Sequence, residues 1–210
     1  MIDSYITVSE SAREEIVVNK SRFIGYVTPC KDEAHAISFL NKIRDDHKTA
    51  KHHCYAYIIG ENSGVMRYSD DGEPGGTAGL PIMNVMRMKN VVNCCVVVVR
   101  YFGGVLLGTG GLVRAYTQAA QLAVESAGIV RMERTTEEYC EVPYSVWDRF
   151  RHAVNHLPVR MEGIKYGKTV SFTLCYRTAE RESVIPFLLN ASDRKLLSVP
   201  QQETFAAWKI

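Results

Sequence analysis

The sequence predicts an α+β protein that is built from two domains. The stretch "VVNCCVVVVRYF" is apolar without in-and-out alternation, which is typical of a strand buried on both faces at the centre of a sheet. Strand-type and helix-type segments alternate elsewhere, and a second series of them begins beyond Val130. The 210 residues, 46% hydrophobic and 23% charged, suffice for one large or two small domains. We expect the domain boundary near residues 129–134.

The first predicted element is a β segment at 14–27, "EEIVVNKSRFIGYV", which is rich in β-branched and aromatic residues and is ended by Pro29. The following stretch "DEAHAISFLNKIRDDH" has apolar residues at helical spacing and acidic residues in its first turn, so it predicts a helix. "CYAYIIG" and "VMRYS" flank "ENSG", which predicts a hairpin.

Two further helices are predicted, one before and one after the central strand in the sequence. Thr77 is the expected cap of the first, and Pro81 is tolerated in its first turn. The second, "LVRAYTQAAQLAVESAG", follows a glycine-rich loop, has its small and apolar residues on one stripe, and meets Gly128 where a C-terminal cap belongs.

The second domain is predicted from six segments in the order strand, helix, strand, strand, helix, strand. The strands are "TTEEYCEVP", "VRMEGIKYG", "KTVSFTLCYR" and a final one in "LLSVPQQETFAAW". The helices are "YSVWDRFRHAVNHL" and "TAERESVIPFLLNAS", the second strained by Pro186. This βαββαβ order is that of a ferredoxin-like unit.

Composition excludes several classes of protein. A net charge of only +2 does not mark a dedicated nucleic-acid binder, and the apolar run 94–99 is too short to cross a membrane. The chain start has no basic head followed by an apolar stretch, so we expect no secretory signal. Six cysteines without CxxC spacing, together with the expected lack of an export signal, predict reduced, buried thiols in a cytoplasmic protein and no structural zinc. We also expect no cofactor.

The loop "RYFGGVLLGTGG" is the first candidate site. A glycine-rich turn between a buried strand and a helix exposes backbone N–H groups at the positive end of the helix dipole, which suits a small anion or phosphate. Neither a Walker loop nor GxGxxG is matched, and glycines that permit positive φ and tight packing explain the loop equally well. The candidate binding residues are Gly103, Gly104, Gly108, Thr109, Gly110, Gly111 and, in the expected first helical turn, Arg114.

The loop "SDDGEPGGTAG" is the second candidate, because Asp70, Asp71 and Glu73 place three carboxylates within four residues. Such a group could bind a hard cation, or raise one pKa for acid–base chemistry. The pattern is not an EF-hand loop, and a solvated acidic turn that caps the next helix explains it equally well. We favour an interaction surface over a metal site and predict no bound metal.

The stretch "KHHCYAY" places Cys54 beside His52 and His53, which suggests a nucleophile and its base. Adjacent strand residues point to opposite faces, so only His52 and Cys54 share a face, and no third orienting group accompanies them. A catalytic dyad is therefore not favoured over a buried cysteine beside a hydrogen-bonded histidine.

Cations stand beside aromatics in "NKSRF" and "VRYFGG". We expect Lys20 and Arg22 to alternate on one strand face, while Arg100 and Tyr101 end the central strand. An arginine beside Tyr or Phe can grip a phosphate and stack on a base or peptide group. The alternative is that the charged ends of these side chains extend into solvent at the sheet edge while the aromatic rings pack inward.

Together, "KSRFIG", "HHCYAY", "SDDGEPGGTAGLPI" and "VVVRYFGGVLLGTGGLVRAY" resemble the signature blocks of the IMPACT family, bacterial YigZ type. The resemblance covers about residues 17–127 in the right order, and residues 130–210 fit the small C-terminal domain by pattern and position. The sequence departs at Gly76, where a small polar residue is frequent, and at His53, where the eukaryotic branch often has Asn.

The resemblance implies a domain at 1–130 similar to the second domain of small-subunit ribosomal protein five. It also implies a ferredoxin-like domain at 131–210 similar to the fifth domain of elongation factor G. Eukaryotic relatives regulate translation by binding a ribosome-associated activator of an amino-acid-starvation kinase, and that role transfers to this chain only as a class of function.

Three hypotheses follow. The first is a cytoplasmic, non-enzymatic protein that contacts a ribosome-associated protein or structured RNA and no membrane, through Lys20, Arg22, Asp70, Asp71, Glu73, Arg100, Tyr101 and Arg114. The second is a hydrolase or other enzyme that holds an anion at 108–111 and uses Asp70, Asp71 or Glu73 as metal ligand or base, with help from His52 or Cys54. The third is a sensor that binds a nucleotide or phosphorylated metabolite without turnover.

Overall fold

The computed structural model describes residues 2–208 and divides into two compact units, Met1–Arg131 and Met132–Ile210. Both units combine sheets and helices, which confirms the predicted mixed α and β fold. The likeness of each unit to a particular ribosomal or elongation-factor domain stays a prediction. No helix within 2–208 is both long and apolar enough to cross a membrane.

The first unit is built on a five-stranded antiparallel sheet. In chain order the strands of the unit are β1 (Ser4–Val8), β2 (Ala12–Val18), β3 (Ser21–Pro29), β4 (His52–Ile59), β5 (Val65–Ser69) and β6 (Cys94–Tyr101). The sheet has the order β2-β3-β6-β4-β5, and β1 lies outside it. β6 is therefore central, and Val96 to Val99 are fully buried, as the lack of alternation predicts.

Three helices cover the two faces of this sheet. α1 (Glu33–Asp46) begins at Asp32, whose carboxylate accepts from His35 N, and it packs Ala36, Leu40 and Ile43 on one face. α2 (Gly79–Met88) and α3 (Gly108–Ser126) pack on the other face, which includes Val96 and Val98. Because both faces are covered, every side chain of β6 up to Arg100 is buried. Gly128, with φ +68°, follows α3 as predicted.

Two features of the first unit differ from the sequence prediction. The strand β1 was not predicted. The single β segment predicted over 14–27 is also wrong, because Asn19 and Lys20 adopt φ values of 46° and 65° and form the two-residue turn of a β2–β3 hairpin. Positive φ at both central residues is the geometry that matches strand twist in such turns. Lys20 therefore lies in a turn and does not share a strand face with Arg22.

The second unit has the predicted order of elements. It contains β7 (Ile129–Val142, which begins in the first unit), α4 (Tyr144–Val154), β8 (Val159–Tyr166), β9 (Val170–Arg177), a 3-10 turn (Thr178–Glu180), α5 (Arg181–Ala191, with Pro186 inside) and β10 (Leu197–Ala207). The strands pair antiparallel in the order β10-β7-β9-β8. Trp147 and Phe150 of α4 and Phe172 of β9 form the aromatic centre of its core.

Candidate functional site

Asp70 caps α2 from a distance along the chain. Its Oδ1 accepts hydrogen bonds from Ala78 N at 3.0 Å and Gly79 N at 2.8 Å, and its Oδ2 accepts from Gly76 N at 2.8 Å. The expected cap by Thr77 is wrong, because the Thr77 hydroxyl donates to the Pro74 carbonyl at 2.6 Å instead. The turn through Gly76 folds the backbone N–H groups back onto Asp70, so a residue eight positions upstream fills the capping role.

Asp71 joins the same loop to β4 and α1. Its Oδ2 accepts from His53 N at 2.7 Å, and its Oδ1 lies 3.4 Å from Arg44 Nη2. Its carbonyl lies 2.9 Å from His52 Nδ1, which must donate to it. Asp71 and Gly72 have positive φ values of 42° and 85°, and this tight bend turns both the side chain and the carbonyl of Asp71 toward β4.

Glu73 forms a buried ion pair with Arg100 of the central strand. Arg100 Nη1 and the Tyr116 hydroxyl both donate to Glu73 Oε1 at 2.7 Å. The two charged side chains are only 3% and 7% exposed, so the Coulomb attraction and the hydrogen bonds must offset a large desolvation cost. The Arg100 guanidinium also lies over the rings of Phe23 and Phe102, at 5.4 and 5.5 Å.

The three carboxylates of the acidic loop, residues 69–79, are thus held by different parts of the protein. Asp70 binds α2, Asp71 binds β4 and α1, and Glu73 binds β6 and α3. The part of the chain that the structure describes has no group of three or more His, Cys, Asp or Glu side chains that could hold a metal ion. Asp70 caps the next helix, as one interpretation of the loop expects, but the turn is not solvated throughout, because Glu73 is buried.

Cys54 is a buried thiol that belongs to the same polar network. It is 0% exposed, and its sulfur lies 2.9 Å from the Asp70 carbonyl and 3.4 Å from the Tyr116 hydroxyl. Burial raises the pKa of the Cys54 thiol well above its usual value, so it stays neutral and weakly nucleophilic. The hydrogen bonds of the Cys54 sulfur within residues 2–208 go to the Asp70 carbonyl and the Tyr116 hydroxyl and not to His52, so the structure does not pair this thiol with a histidine base.

Tyr116 is the member of the network that the sequence analysis missed. It is fully buried, and burial, together with Cys54 and Glu73, raises the pKa of its hydroxyl. Its ring packs edge-on against Phe23, with centroids 5.2 Å apart. A signal was present, because Tyr116 lies four residues after Leu112 and therefore falls on the inward stripe of α3.

The glycine loop, residues 102–111, has a different start from the one predicted. α3 begins at Gly108, so residues 108–111 form its first turn and Arg114 lies in the second turn, not in the first. Leu107 occupies the N-cap position without a side-chain capping bond, and Arg114 Nε donates to the Gly110 carbonyl at 3.2 Å. Gly108, Thr109 and Gly110 are all exposed.

The glycines of this loop have two separate physical roles. A Cβ on Gly103 would lie 2.0 Å from the Lys20 carbonyl carbon, so only glycine lets the loop pack on the β2–β3 turn. Gly104 and Gly108 have φ values of +83° and +71° with open space around them, so they serve conformation rather than packing. Between them, Val105 and Leu106 are 43% and 87% exposed.

Arg22 and Tyr101 belong to a surface that includes three residues the sequence analysis missed. The Arg22 guanidinium lies 5.4 Å from the Tyr101 ring centroid and forms an ion pair with Glu15 at 2.8 Å. His47 bridges the hydroxyls of Tyr26, at 2.6 Å, and Tyr101, at 2.9 Å, and Arg13 Nε donates to Tyr26 at 3.3 Å. Burial, and secondarily His53, lowers the pKa of His47, so it stays neutral near pH 7. We call Arg13, Arg22, Tyr26, His47 and Tyr101 the Arg-Tyr surface.

The structure therefore brings the acidic loop, Arg100, Cys54 and Tyr116 into one buried network. The exposed Gly108 lies on the same helix as Tyr116, about 12 Å before it at 1.5 Å per residue. Lys20 touches the glycine loop through the backbone of Gly103. The predicted site residues thus divide into an inward set held by protein partners and an outward set that is exposed.

Comparison with solved proteins supports the fold. A crystal structure described as that of a hypothetical protein superposes with a TM-score of 0.63 at 28% identity, and the match covers 96% of this chain and 99% of the other. The likeness extends over both units.

Curated relatives carry the same family name. IMPACT family member YvyE of Bacillus subtilis is 37% identical over 82% of this chain and 79% of its own length. IMPACT family member YigZ of Escherichia coli is 39% identical over 60% of this chain and 63% of its own. Protein IMPACT of Xenopus laevis is 34% identical over 45% of this chain and 31% of its own. The Impact N-terminal domain matches residues 19–124, which include both loops and the buried network. The chain belongs to the IMPACT family.

Proposed function

We propose that this chain is a non-enzymatic binding protein that acts on the translation machinery. The role in translation rests on the family resemblance, since the eukaryotic relatives that the sequence resembles are translation regulators. The observation that carries the binding role is the division of the site residues. The groups able to do acid–base or nucleophilic chemistry are turned inward and engaged, while cations, aromatics and the glycine loop face outward.

The outward set suits contact with another macromolecule. Lys20 has no ion pair among residues 2–208, and Arg114 bonds only the carbonyl of its own helix turn in that range. Phe102 and Leu106 of the glycine loop are 54% and 87% exposed. Cations that flank exposed apolar and aromatic side chains can meet phosphates, bases or an apolar protein surface with acidic neighbours. Because the net charge of the chain is only +2, the attraction to a partner acts only near these exposed cations.

The hydrolase alternative receives no support from these contacts. A general base needs a carboxylate that is free to accept a proton from substrate, but Asp70, Asp71 and Glu73 each accept from protein donors. A nucleophile needs an accessible thiolate, whereas Cys54 is buried and its pKa is raised by that burial. We therefore propose binding without turnover.

Cosedimentation with ribosomes at low and high salt tests the proposal. We expect the wild type to pellet with ribosomes at low salt and to be released as salt screens the cations. The double variant Lys20→Glu/Arg114→Glu should lose most of this binding. The control Arg67→Glu, on β5, reverses the charge of an exposed arginine whose guanidinium donates to the neighbouring Met66 carbonyl. This variant should pellet like the wild type. A wild type that stays in the supernatant at every salt concentration contradicts the proposal.

A further inference from the structure

Two histidines at the end of α4 lie with their ring nitrogens close together. His152 is in the last turn of the helix, and His156 follows four residues later. Both residues are exposed. Their Nε2 atoms are 3.4 Å apart, and their ring centroids are 4.8 Å apart with the ring planes at 87°. The pair belongs to the second unit and shares no residue with the acidic loop, the glycine loop or the Arg-Tyr surface.

The backbone holds the two histidines on the same side of α4. Side chains four positions apart on a helix are neighbours. Beyond the last residue of α4, Asn155 keeps helical angles of φ −63° and ψ −15°, and His156 N donates to the Ala153 carbonyl at 3.2 Å. Leu157, the next residue, packs on the core cluster of the second unit. His156 is therefore held one turn beyond His152 and does not lie on a free end.

The spacing of the two nitrogens fits a shared metal ion better than a hydrogen bond. Their separation of 3.4 Å exceeds the distance of about 2.7–3.2 Å that is usual for a hydrogen bond donated by N–H. Two imidazole nitrogens that each lie about 2.0–2.1 Å from a tetrahedral Zn²⁺ are separated by about 3.4 Å. Neither imidazole has another hydrogen-bond or ion-pair partner within residues 2–208. Both Nε2 atoms are thus available to one ion.

The helix dipole is a simpler reason for a histidine at this position. The C-terminal end of a helix carries partial negative charge and favours a cation, which explains Arg151 in the same turn. It does not explain two rings that approach each other, because two protonated imidazoles at this separation would repel. A single proton shared by the rings would form a charge-assisted hydrogen bond, and such bonds are shorter than 3.4 Å. A metal ion between two neutral rings accounts for the observed distance.

We propose that His152 and His156 chelate one divalent transition-metal ion, of the class of Zn²⁺ or Cu²⁺, through their Nε2 atoms. Imidazole suits these ions, whereas Mg²⁺ and Ca²⁺ prefer oxygen ligands. No third His, Cys, Asp or Glu among residues 2–208 joins the pair, so the other coordination positions are open to water or to a group from outside the chain. The predicted absence of a metal rested on the acidic loop and the cysteines and did not weigh these histidines. The site does not depend on the proposed role in translation.

Equilibrium dialysis of the untagged protein against Cu²⁺ or Zn²⁺ tests the site. We expect the wild type to take up one equivalent of either ion at the pair, Cu²⁺ more tightly than Zn²⁺, without displacement by excess Mg²⁺. His152→Gln and His156→Gln should each weaken this binding at least tenfold. The double variant should bind no more weakly than either single variant, because a chelate is lost with either ring.

His35→Gln is the matched control, because His35 is the other exposed histidine within residues 2–208 and has no histidine near it in the sequence. It should bind the metal as the wild type does, and circular dichroism verifies that every variant is folded. The proposal is overturned if the wild type binds no more Cu²⁺ or Zn²⁺ than His152→Gln. It is also overturned if the effects of the two single variants add in the double variant, or if His35→Gln loses the same binding.

Discussion

The acidic loop and the glycine loop look alike in sequence but are opposite in structure. Both are glycine-rich connections that follow a strand and lead into a helix, and both carry polar residues typical of a site. In the acidic loop Asp70, Asp71 and Glu73 turn inward and accept from backbone, arginine and tyrosine donors. In the glycine loop the cap is missing and Leu106 projects into solvent. Charged residues in a glycine-rich turn therefore indicate a ligand only when the protein does not itself supply their partners.

The glycines, by contrast, divide into two roles within each loop. A Cβ added to Gly79 of the acidic loop would lie 2.7 Å from the Ser69 backbone, and one added to Gly103 of the glycine loop would lie 2.0 Å from the Lys20 backbone. Only glycine therefore allows the close backbone approach at these two positions. Gly76 and Gly104 have positive φ with no atom within 4 Å of an added Cβ. Each loop thus has a glycine that packing requires and at least one that only conformation requires.

The largest expected effect comes from breaking the buried pair of the acidic loop. Glu73→Ala leaves Arg100 buried without its carboxylate, so we expect the free energy of unfolding to fall by about 3–5 kcal/mol. Urea denaturation measures this. The control Glu15→Ala removes the partner of the exposed Arg22, and we expect a loss of about 1 kcal/mol or less. Equal losses in the two variants would show that the inward pair has no special structural role.

Substitution of glycines in the glycine loop should give the next largest effect. In Gly103→Ala the new Cβ meets the Lys20 backbone, so the hairpin turn must move, at a cost of about 3 kcal/mol. Gly104→Ala meets no atom but keeps a positive φ, at a cost of about 1 kcal/mol. Thermal and urea denaturation of both variants compare these costs. If Gly104→Ala were the more damaging, the assignment of the two roles would be wrong.

The capping role of Asp70 predicts a smaller effect. Asp70→Ala removes the acceptor of Gly76, Ala78 and Gly79 N–H groups, so we expect a loss of about 1–2 kcal/mol. Thr77→Val, which removes only the hydroxyl bond to Pro74, should cost about 1 kcal/mol or less. A larger effect of Thr77→Val in the same denaturation series would show that Thr77, not Asp70, caps α2.

The smallest effect is expected from the thiols. All six cysteines are buried, and burial raises the pKa of Cys175 to about 11, the smallest of these rises, and that of Cys30 to about 12. Iodoacetamide at pH 8 should therefore label the native protein slowly, with Cys175 reacting first as the pH rises. Because the folded pKa values exceed those of the unfolded thiols, the unfolded chain loses these protons first, and stability should decline above about pH 9. Rapid labelling of Cys54 at pH 8, measured by mass spectrometry, would contradict its place in the buried network.

Local patterns account for what the sequence predicted well. The unalternated run at 94–99 predicted the central strand, and the βαββαβ order of the second unit follows from periodicity and turn residues. The Asn19–Lys20 turn was missed because the β-type residues continue on both sides and neither turn residue is glycine. The start of α3 was placed four residues late because glycine has a low helix propensity, so the glycine-rich residues 108–111 were assigned to the loop.

The inward network could not be predicted because it depends on contacts between distant residues. Glu73 and Arg100 are 27 positions apart, and Cys54 and Tyr116 are 62 apart. Spacing along the chain carries no information about such pairs. They form because β6 lies beside β4 in the sheet. α3 packs across the face of the sheet on which Cys54 lies. Glu73, Arg100 and Cys54 each looked like a candidate for chemistry, Tyr116 was not singled out, and only the fold shows that they are partners of one another.

The most direct test of the central claim is ribosome cosedimentation with one variant from each loop. Leu106→Asp alters the outward glycine loop, and Thr77→Val alters the acidic loop without touching a proposed contact. We expect Leu106→Asp to weaken the apparent affinity at least tenfold at low salt, and Thr77→Val to bind as the wild type does. Wild-type binding by Leu106→Asp, or a comparable loss in Thr77→Val while it remains folded, would contradict the claim that the outward loop makes the contact.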